Sequence, residues 1–88
     1  MSADDASVRA AIRTFIEENF LYMHPDVELA DNEDLLTRGL IDSLGFVELV
    51  EEIQERYSLA VEDVEITEQN FGSIDAIAAY VEHKRRGR

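Results

Sequence analysis

The segment from Leu44 to Tyr57 repeats its apolar side chains at the spacing of an α-helix. On a wheel of about 100° per residue, one arc is apolar and the opposite arc is acidic. The apolar arc consists of Phe46, Val47, Leu49, Val50, Ile53 and Tyr57. The acidic arc consists of Glu48, Glu51, Glu52 and Glu55. Leu44 falls at the edge of the acidic arc, so we expect an apolar side chain exposed among carboxylates, which is the layout of a docking surface.

Two more segments have helical periodicity. The first runs from about Asp4 to Leu21, and Pro25 forbids its continuation. Its buried stripe is predicted to contain Val8, Ile12, Phe15, Ile16 and Phe20. The last helix is predicted to be capped by Ser73, with apolar residues at i, i+3, i+4 and i+7. These residues are Ile74, Ile77, Ala78 and Val81.

The remaining segments are connections. Residues 23–42 form a long loop, which we expect Leu35, Leu36 and Leu40 to attach to the core. A short third element is predicted from Asp63 to Asn70, with Gly72 ending it. Its apolar contacts are assigned to Val64, Ile66 and Phe71. No segment alternates as a strand does, so the sequence predicts an all-α fold, a small bundle of three main helices plus one short helix.

The length and the charge limit the function. Eighty-eight residues form one domain, 1–88, with a small core that leaves little room for a deep catalytic cavity. Twenty acids against eight Lys and Arg give a formal charge of −12, which repels nucleic acid and anionic lipid and attracts proteins with basic patches. Half of the basic residues lie in the tail 84–88, which we expect to be frayed: Lys84, Arg85, Arg86 and Arg88.

The sequence also bears on location. The apolar runs are far shorter than the roughly 20 residues that cross a bilayer, and the first segment is unlike a signal peptide. The absence of cysteine suits a reducing compartment. We therefore expect a cytoplasmic protein, and we expect it to be a monomer.

The run Gly39-Leu40-Ile41-Asp42-Ser43-Leu44-Gly45-Phe46-Val47-Glu48-Leu49 resembles the acyl carrier protein family, which includes the peptidyl and aminoacyl carriers. The order of helices and loop extends the resemblance over nearly the whole chain. It implies that Ser43 carries covalent 4'-phosphopantetheine, taken from coenzyme A by a separate phosphopantetheinyl transferase. The chain itself then needs no catalytic residues, and the working thiol belongs to the prosthetic arm.

The resemblance also implies partners. These are the transferase, an acyl- or amino-acid-activating ligase, and downstream transferases with basic patches. We expect carboxylates to steer them and Leu44 and Val47 to give a small apolar contact, while Asp42 also contributes to capping. The predicted docking residues are Asp42, Leu44, Val47, Glu48, Glu51, Glu52 and Glu55.

The cargo and the function class have alternatives. Leu40-Ile41 before the aspartate, Gly45, and the segment 66–74 resemble discrete aminoacyl or secondary-metabolism carriers more than the fatty-acid carrier. An acyl carrier of fatty-acid synthesis is the first alternative. An unmodified acidic helical adaptor that binds a basic protein is the second.

Simpler interpretations exist for the same residues. Ser43 could serve only as a helix cap, and the acidic arc could be an ordinary solvated face. His24 and His83 are far apart and have no partners at ligand spacing, so we expect no metal site. A calcium loop that began at Asp31 would need glycine at its sixth position and glutamate at its twelfth, but Leu36 and Asp42 stand there. The segment around Ser43 has only one glycine of a nucleophile elbow, which excludes a hydrolase of that type.

Overall fold

The computed structural model describes residues 3–22 and 26–86. Helix α1 spans Ala3–Asn19, α2 Ser43–Tyr57, α3 Glu68–Phe71 and α4 Ile74–Arg86, and a single 3₁₀ turn covers Asp63–Glu65. No strand occurs in these two ranges. The predicted all-α bundle of three main helices and a short one is confirmed.

The apolar stripes of the three main helices meet in one core. On α1, Val8, Ile12 and Ile16 are buried. Phe15 on the same helix and Phe20 just beyond its end are half-buried and pack against the core. The buried residues of α2 and α4 are Leu49, Val50, Ile53, Ile74, Ile77, Ala78, Tyr80 and Val81. Burying a Val, Leu or Ile side chain contributes about 1.5 to 3 kcal/mol, so this shared core is what holds three largely polar helices together.

Aromatic rings complete the core between α2, α3 and α4. The Phe71 ring is fully buried and meets Phe46 edge-on, with centroids 6.1 Å apart. On its other side it packs against Tyr80, with centroids 4.8 Å apart. The assignment of Phe46 to the apolar arc and of Phe71 to an apolar contact is therefore confirmed.

The third element differs from its prediction. It consists of two pieces, the 3₁₀ turn and α3, because Thr67 adopts an extended conformation and its side chain caps α3 by accepting from the N–H of Asn70. Val64 was assigned a core contact, and this is wrong, since its side chain is 83% exposed. The apolar character of a residue does not by itself show which way its side chain points in a short 3₁₀ turn. Ile66 and Phe71 do pack on the core.

The long loop is attached to the rest of the bundle at several points. Leu35 is buried, and its N–H donates to the carbonyl of Gly72 at 2.8 Å. Leu40 packs against the core and Leu36 is half-buried. Gly39 has φ +72°, a left-handed conformation that favours glycine, and this turn directs the chain toward Ile41, which is buried. The loop thus fixes where α2 begins.

Salt bridges hold the same loop to α1 and α4. The Asp31 carboxylate accepts from the guanidinium groups of Arg9 and Arg13. Arg9 also donates to Asp75 on α4, and the Asp31 carbonyl accepts from the Asp75 N–H at 2.9 Å. One loop residue therefore connects two helices.

The ends of the helices agree closely with the sequence. Helix α1 ends at Asn19, two residues before its predicted end, and α2 ends at Tyr57 with Ser58 in the left-handed region. The Ser73 hydroxyl accepts from the N–H of Ala76 at 3.1 Å, so the predicted cap of α4 is confirmed.

Two terminal predictions are only partly covered. Met23, His24, Pro25 and Arg88 lie outside the described residues. Helix α4 includes Lys84, Arg85 and Arg86, and the expected fraying of this tail stays a prediction. In the described part of the chain, no helix has both the length and the apolar character needed to span a membrane.

Candidate functional site

The start of α2 is organised by Asp42 rather than by Ser43. Asp42 is the N-cap residue, and its Oδ1 accepts from the N–H of Gly45 at 2.7 Å. Its carbonyl accepts from the N–H of Phe46 at 2.9 Å. Capping by a carboxylate at this position also favours the positive end of the helix dipole. The interpretation of Ser43 as the helix cap is therefore wrong.

Ser43 is the first residue of α2, and its side chain is exposed. Its hydroxyl makes no hydrogen bond to any residue within 3–22 or 26–86. The helix start carries a partial positive charge of about half a unit, so an anion attached to this oxygen would be favoured there. The serine is thus accessible, unused by the fold and placed where a phosphodiester would be stabilised.

The inner side of the same turn is tightly packed. Gly45 is buried, and a Cβ atom built on it would lie 2.7 Å from Cε1 of Phe20 and 2.9 Å from Cγ2 of Ile41. Phe20 lies just beyond the end of α1, where its ring meets that of Phe15 edge-on. The outward position of Ser43 is therefore backed by packed side chains.

The predicted docking residues differ in their surroundings. Leu44 and Val47 are 68% and 49% exposed, so two large apolar side chains face solvent beside Ser43. Asp42, Glu48, Glu51 and Glu55 are also exposed. Glu52 is half-buried, and its Oε2 forms a salt bridge with the guanidinium of Arg56, with N–O distances of 2.6 and 2.8 Å.

Burial raises the pKa of Tyr57 at the end of α2, and the other groups with shifted pKa values form two clusters that anchor loops. Burial raises the pKa of Asp31. The hydrogen bonds and positive charges of Arg13 and Arg9 outweigh this effect and hold the pKa below its usual value. The Glu62 N–H and the Lys84 ammonium lower the pKa of Glu65. Burial raises the pKa of Tyr80 to about 12, and so does the Glu65 carboxylate, which accepts a hydrogen bond from the Tyr80 hydroxyl. These shifts reflect the anchoring of loops and not an acid–base pair beside Ser43.

Metal binding has no support in the side chains described. Across residues 3–22 and 26–86, no three His, Cys, Asp or Glu side chains are grouped so that they could hold a metal ion. His83 is exposed on α4, and His24 lies outside the described residues.

The sequence that forms this site matches a known protein family. The family described as "Phosphopantetheine attachment site" matches residues 8–81. The chain belongs to the phosphopantetheine-binding carrier protein family. The carrier therefore holds 4'-phosphopantetheine covalently, and the resemblance seen in the sequence is confirmed.

Curated relatives of the carrier cover nearly its full length. A protein of Streptococcus suis named "D-alanyl carrier protein" is 32% identical over 74 residues, which are 84% of this chain and 90% of the relative. A protein of Streptococcus sanguinis with the same name is 31% identical over 78 residues, 89% of this chain and 95% of the relative.

The residues at the start of α2 fit the prosthetic group. The exposed hydroxyl of Ser43 can form a phosphodiester without breaking a hydrogen bond to any of the described residues, and the helix start favours the negative charge of that group. When bound, the group supplies a thiol at the end of a flexible arm, which the chain lacks because it has no cysteine.

Two features of the carrier's site were not found by reasoning from the sequence. The Phe20–Gly45 contact joins residues 25 positions apart in the chain, and helical periodicity assigns Phe20 only to a buried stripe. The Glu52–Arg56 pair has a signal that could have revealed it, namely opposite charges at i and i+4 on one helix.

Proposed function

We propose that Ser43 carries the 4'-phosphopantetheine arm and that the protein presents aminoacyl groups as thioesters to biosynthetic enzymes. The attachment at Ser43 is supported by the different positions of Asp42 and Ser43 at the start of α2. Asp42 caps the helix, and the neighbouring Ser43 hydroxyl is exposed and has no hydrogen-bond partner in the part of the chain that the structure describes. The family match supports the type of modification, and the run Asp42-Ser43-Leu44 supports the residue.

The chain contributes position rather than chemistry to the attachment. The Ser43 Oγ forms the new bond to phosphorus while the pyrophosphate bond of coenzyme A breaks. The adenosine bisphosphate leaves, and the hydroxyl proton passes to a base of the transferase. A carrier of this kind needs no catalytic residue of its own.

The attachment is tested by intact mass. Incubation of the purified protein with coenzyme A and a promiscuous phosphopantetheinyl transferase should add about 340 Da, the mass of the arm. Peptide mapping should place this mass on Ser43, and Ser43→Ala should gain nothing. Ser73→Ala is the matched control, because the hydroxyl of Ser73 is used as a cap, and it should load like the wild type. Persistent lack of the added mass, or modification at another residue, would refute the assignment.

An amino acid is the cargo that we favour. The support comes from the relatives named as D-alanyl carriers and from Leu40, Ile41 and Gly45 around the motif. Fatty-acid synthesis remains the alternative. The loaded protein should accept an amino acid, with D-alanine as the first to try, from an ATP-dependent amino-acid ligase, forming a hydroxylamine-sensitive thioester. Efficient acylation by fatty-acid enzymes and none by amino-acid ligases would reverse the choice.

The α2 surface is the proposed docking site for these enzymes. Leu44 and Val47 form its apolar centre, with Asp42, Glu48, Glu51 and Glu55 around them and Glu52 at the edge held by Arg56. The transferase and the ligase are expected to present basic side chains to it. We also propose that residues 1–88 form a single domain, that the protein is a monomer, and that it is located in the cytoplasm.

A further inference from the structure

Gly45 lies in the first turn of α2, where glycine has a cost. Glycine is disfavoured inside a helix relative to alanine. Its backbone does not require it here, because Gly39 is the glycine with a positive φ among the described residues. An alanine would therefore be expected at position 45 unless the space around the residue forbids it.

The space does forbid a side chain. The atoms nearest to a Cβ built on Gly45 are Cε1 of Phe20 at 2.7 Å and Cγ2 of Ile41 at 2.9 Å. Real Cβ atoms essentially never approach another heavy atom within 3.0 Å. Something would have to move by several tenths of an ångström, and the outcome depends on which atoms are fixed.

The atoms that face Gly45 have little freedom to move. Ile41 is 2% exposed. Phe20 is fixed at the end of α1, because its N–H donates to the Ile16 carbonyl at 2.8 Å and its ring packs on Phe15 with centroids 5.9 Å apart. The first turn of α2 has space to shift outward, since its outer side faces solvent at Ser43 and Leu44.

The same Cβ would also disturb the cap. It would lie 3.3 Å from Oδ1 of Asp42, the atom that accepts from the Gly45 N–H. Ser43 is bracketed by these two residues, so a displaced first turn changes the position and direction of its hydroxyl.

We infer that Gly45 is a positioning residue for the modification reaction: its missing side chain lets Phe20 support the first turn of α2 and so fixes where the Ser43 hydroxyl points. This inference rests on the proposed attachment at Ser43. It assigns to Phe20, at the end of α1, a role in a reaction that takes place on α2.

The test is a double-mutant cycle with steady-state kinetics. Gly45→Ala, Phe20→Leu and the double variant are each assayed with coenzyme A and a promiscuous transferase. Leucine lacks the Cε1 atom that meets the added methyl group. Ile77→Val, in the core of α4 and away from this contact, controls for a general loss of stability.

A misplaced hydroxyl should affect turnover more than binding. Gly45→Ala should lower kcat by about tenfold with KM changed by less than about twofold. Adding Phe20→Leu should recover kcat by at least about threefold, the signature of two residues in contact. Ile77→Val alone should keep the wild-type kcat. Phe20→Leu alone, which removes part of the support for the first turn, should lower kcat by less than about threefold. In amide NMR spectra, Gly45→Ala should shift the Ser43 and Leu44 signals, and the double variant should move them back.

Each other outcome has a definite meaning. A Gly45→Ala protein with wild-type kcat, or a loss that Phe20→Leu does not relieve, overturns the inference. If Gly45→Ala does not fold, Phe20→Leu must restore both the folded spectrum and loading, and failure of either also overturns it. If the wild type itself is not modified at Ser43, the proposed function fails, and that result is read from the wild type alone.

Discussion

Carboxylates have different surroundings in two regions of this carrier. In the loop and the 3₁₀ turn, the anchoring carboxylates Asp31 and Glu65 are held by basic side chains, from Arg9 and Arg13 in one case and Lys84 in the other. On α2, the free carboxylates Glu48, Glu51 and Glu55 are exposed and form no ion pair with any residue that the structure describes.

The difference follows from where the few basic residues are placed. Arginines on α1 and a lysine on α4 face the connecting segments, so their charge is used to hold loops to helices. On α2 Arg56 lies in the last turn and pairs with Glu52. The free carboxylates repel one another at i, i+3 and i+4 spacing, at a few tenths of a kcal/mol per pair. A cost that folding does not require points to a use outside the fold.

The largest expected effect is the loss of stability when the anchoring carboxylate of Asp31 is removed. Asp31→Asn keeps the shape of the side chain but replaces the carboxylate, which accepts hydrogen bonds from two guanidinium groups, with a neutral amide. It should lower the free energy of unfolding by about 1 to 2 kcal/mol, a range reduced for solvent screening because the side chain is 38% exposed. Urea unfolding followed by circular dichroism measures this change.

Glu51→Gln is the matched variant on the other side. It removes one charge from a free carboxylate and should leave stability unchanged or raise it by about 0.3 kcal/mol, because like-charge repulsion falls. Equal losses in the two variants would show that the distinction between anchoring and free carboxylates is false.

The pH dependence sharpens the same contrast. The pKa of Asp31 is lower in the folded protein than the ordinary value of 3.8, so its stabilising contribution is present above that value. The contribution is lost as the pH falls through 3.8 toward the folded-state pKa. The stability gap between the wild type and Asp31→Asn should therefore be constant near pH 6 to 7, and should close progressively in acid. A gap that does not change with pH would contradict the assignment.

A smaller effect is expected in the docking function. Glu48→Lys with Glu51→Lys should raise the transferase KM by about fivefold at low salt, less at high salt, with the fold intact. The control is Glu17→Lys with Glu28→Lys, two neighbouring exposed glutamates that line the same surface groove. It changes the net charge equally and should leave KM near the wild type. Equal effects of the two pairs would show that only total charge matters.

The sequence predicted what depends on local periodicity. Helix α2 was placed to within one residue, since its apolar spacing and its cap both lie within a few positions of each other. The third element was predicted less well. The cap at Thr67 splits it. The exposure of Val64 could not be derived from periodicity, because the 3₁₀ turn Asp63–Glu65 is a single turn and shows no repeat.

What the sequence could not give are contacts between distant positions. Ser43 was singled out by its motif, but its free hydroxyl depends on Asp42 taking the cap, and local rules allowed either residue. The pairing of Arg9 with Asp31 and Asp75 spans 22 and 66 positions and depends on how the helices pack. Periodicity describes one helix at a time, so it does not reveal which charges meet.

The smallest expected effect concerns Glu52, the residue of the acidic arc whose carboxylate is paired with a basic residue of the same helix. Its salt bridge with Arg56 closely matches that of Glu33 with Arg38, each with an N–O distance of 2.6 Å and similar exposure. Glu52→Gln and Glu33→Gln should each lower the unfolding free energy by about 0.3 to 0.5 kcal/mol. Glu52→Gln should also raise the transferase KM less than Glu51→Gln does, because Arg56 already offsets the Glu52 charge. If Glu52→Gln weakens docking as much as Glu51→Gln, then Arg56 swings away when a partner binds, and Glu52 belongs with the free carboxylates.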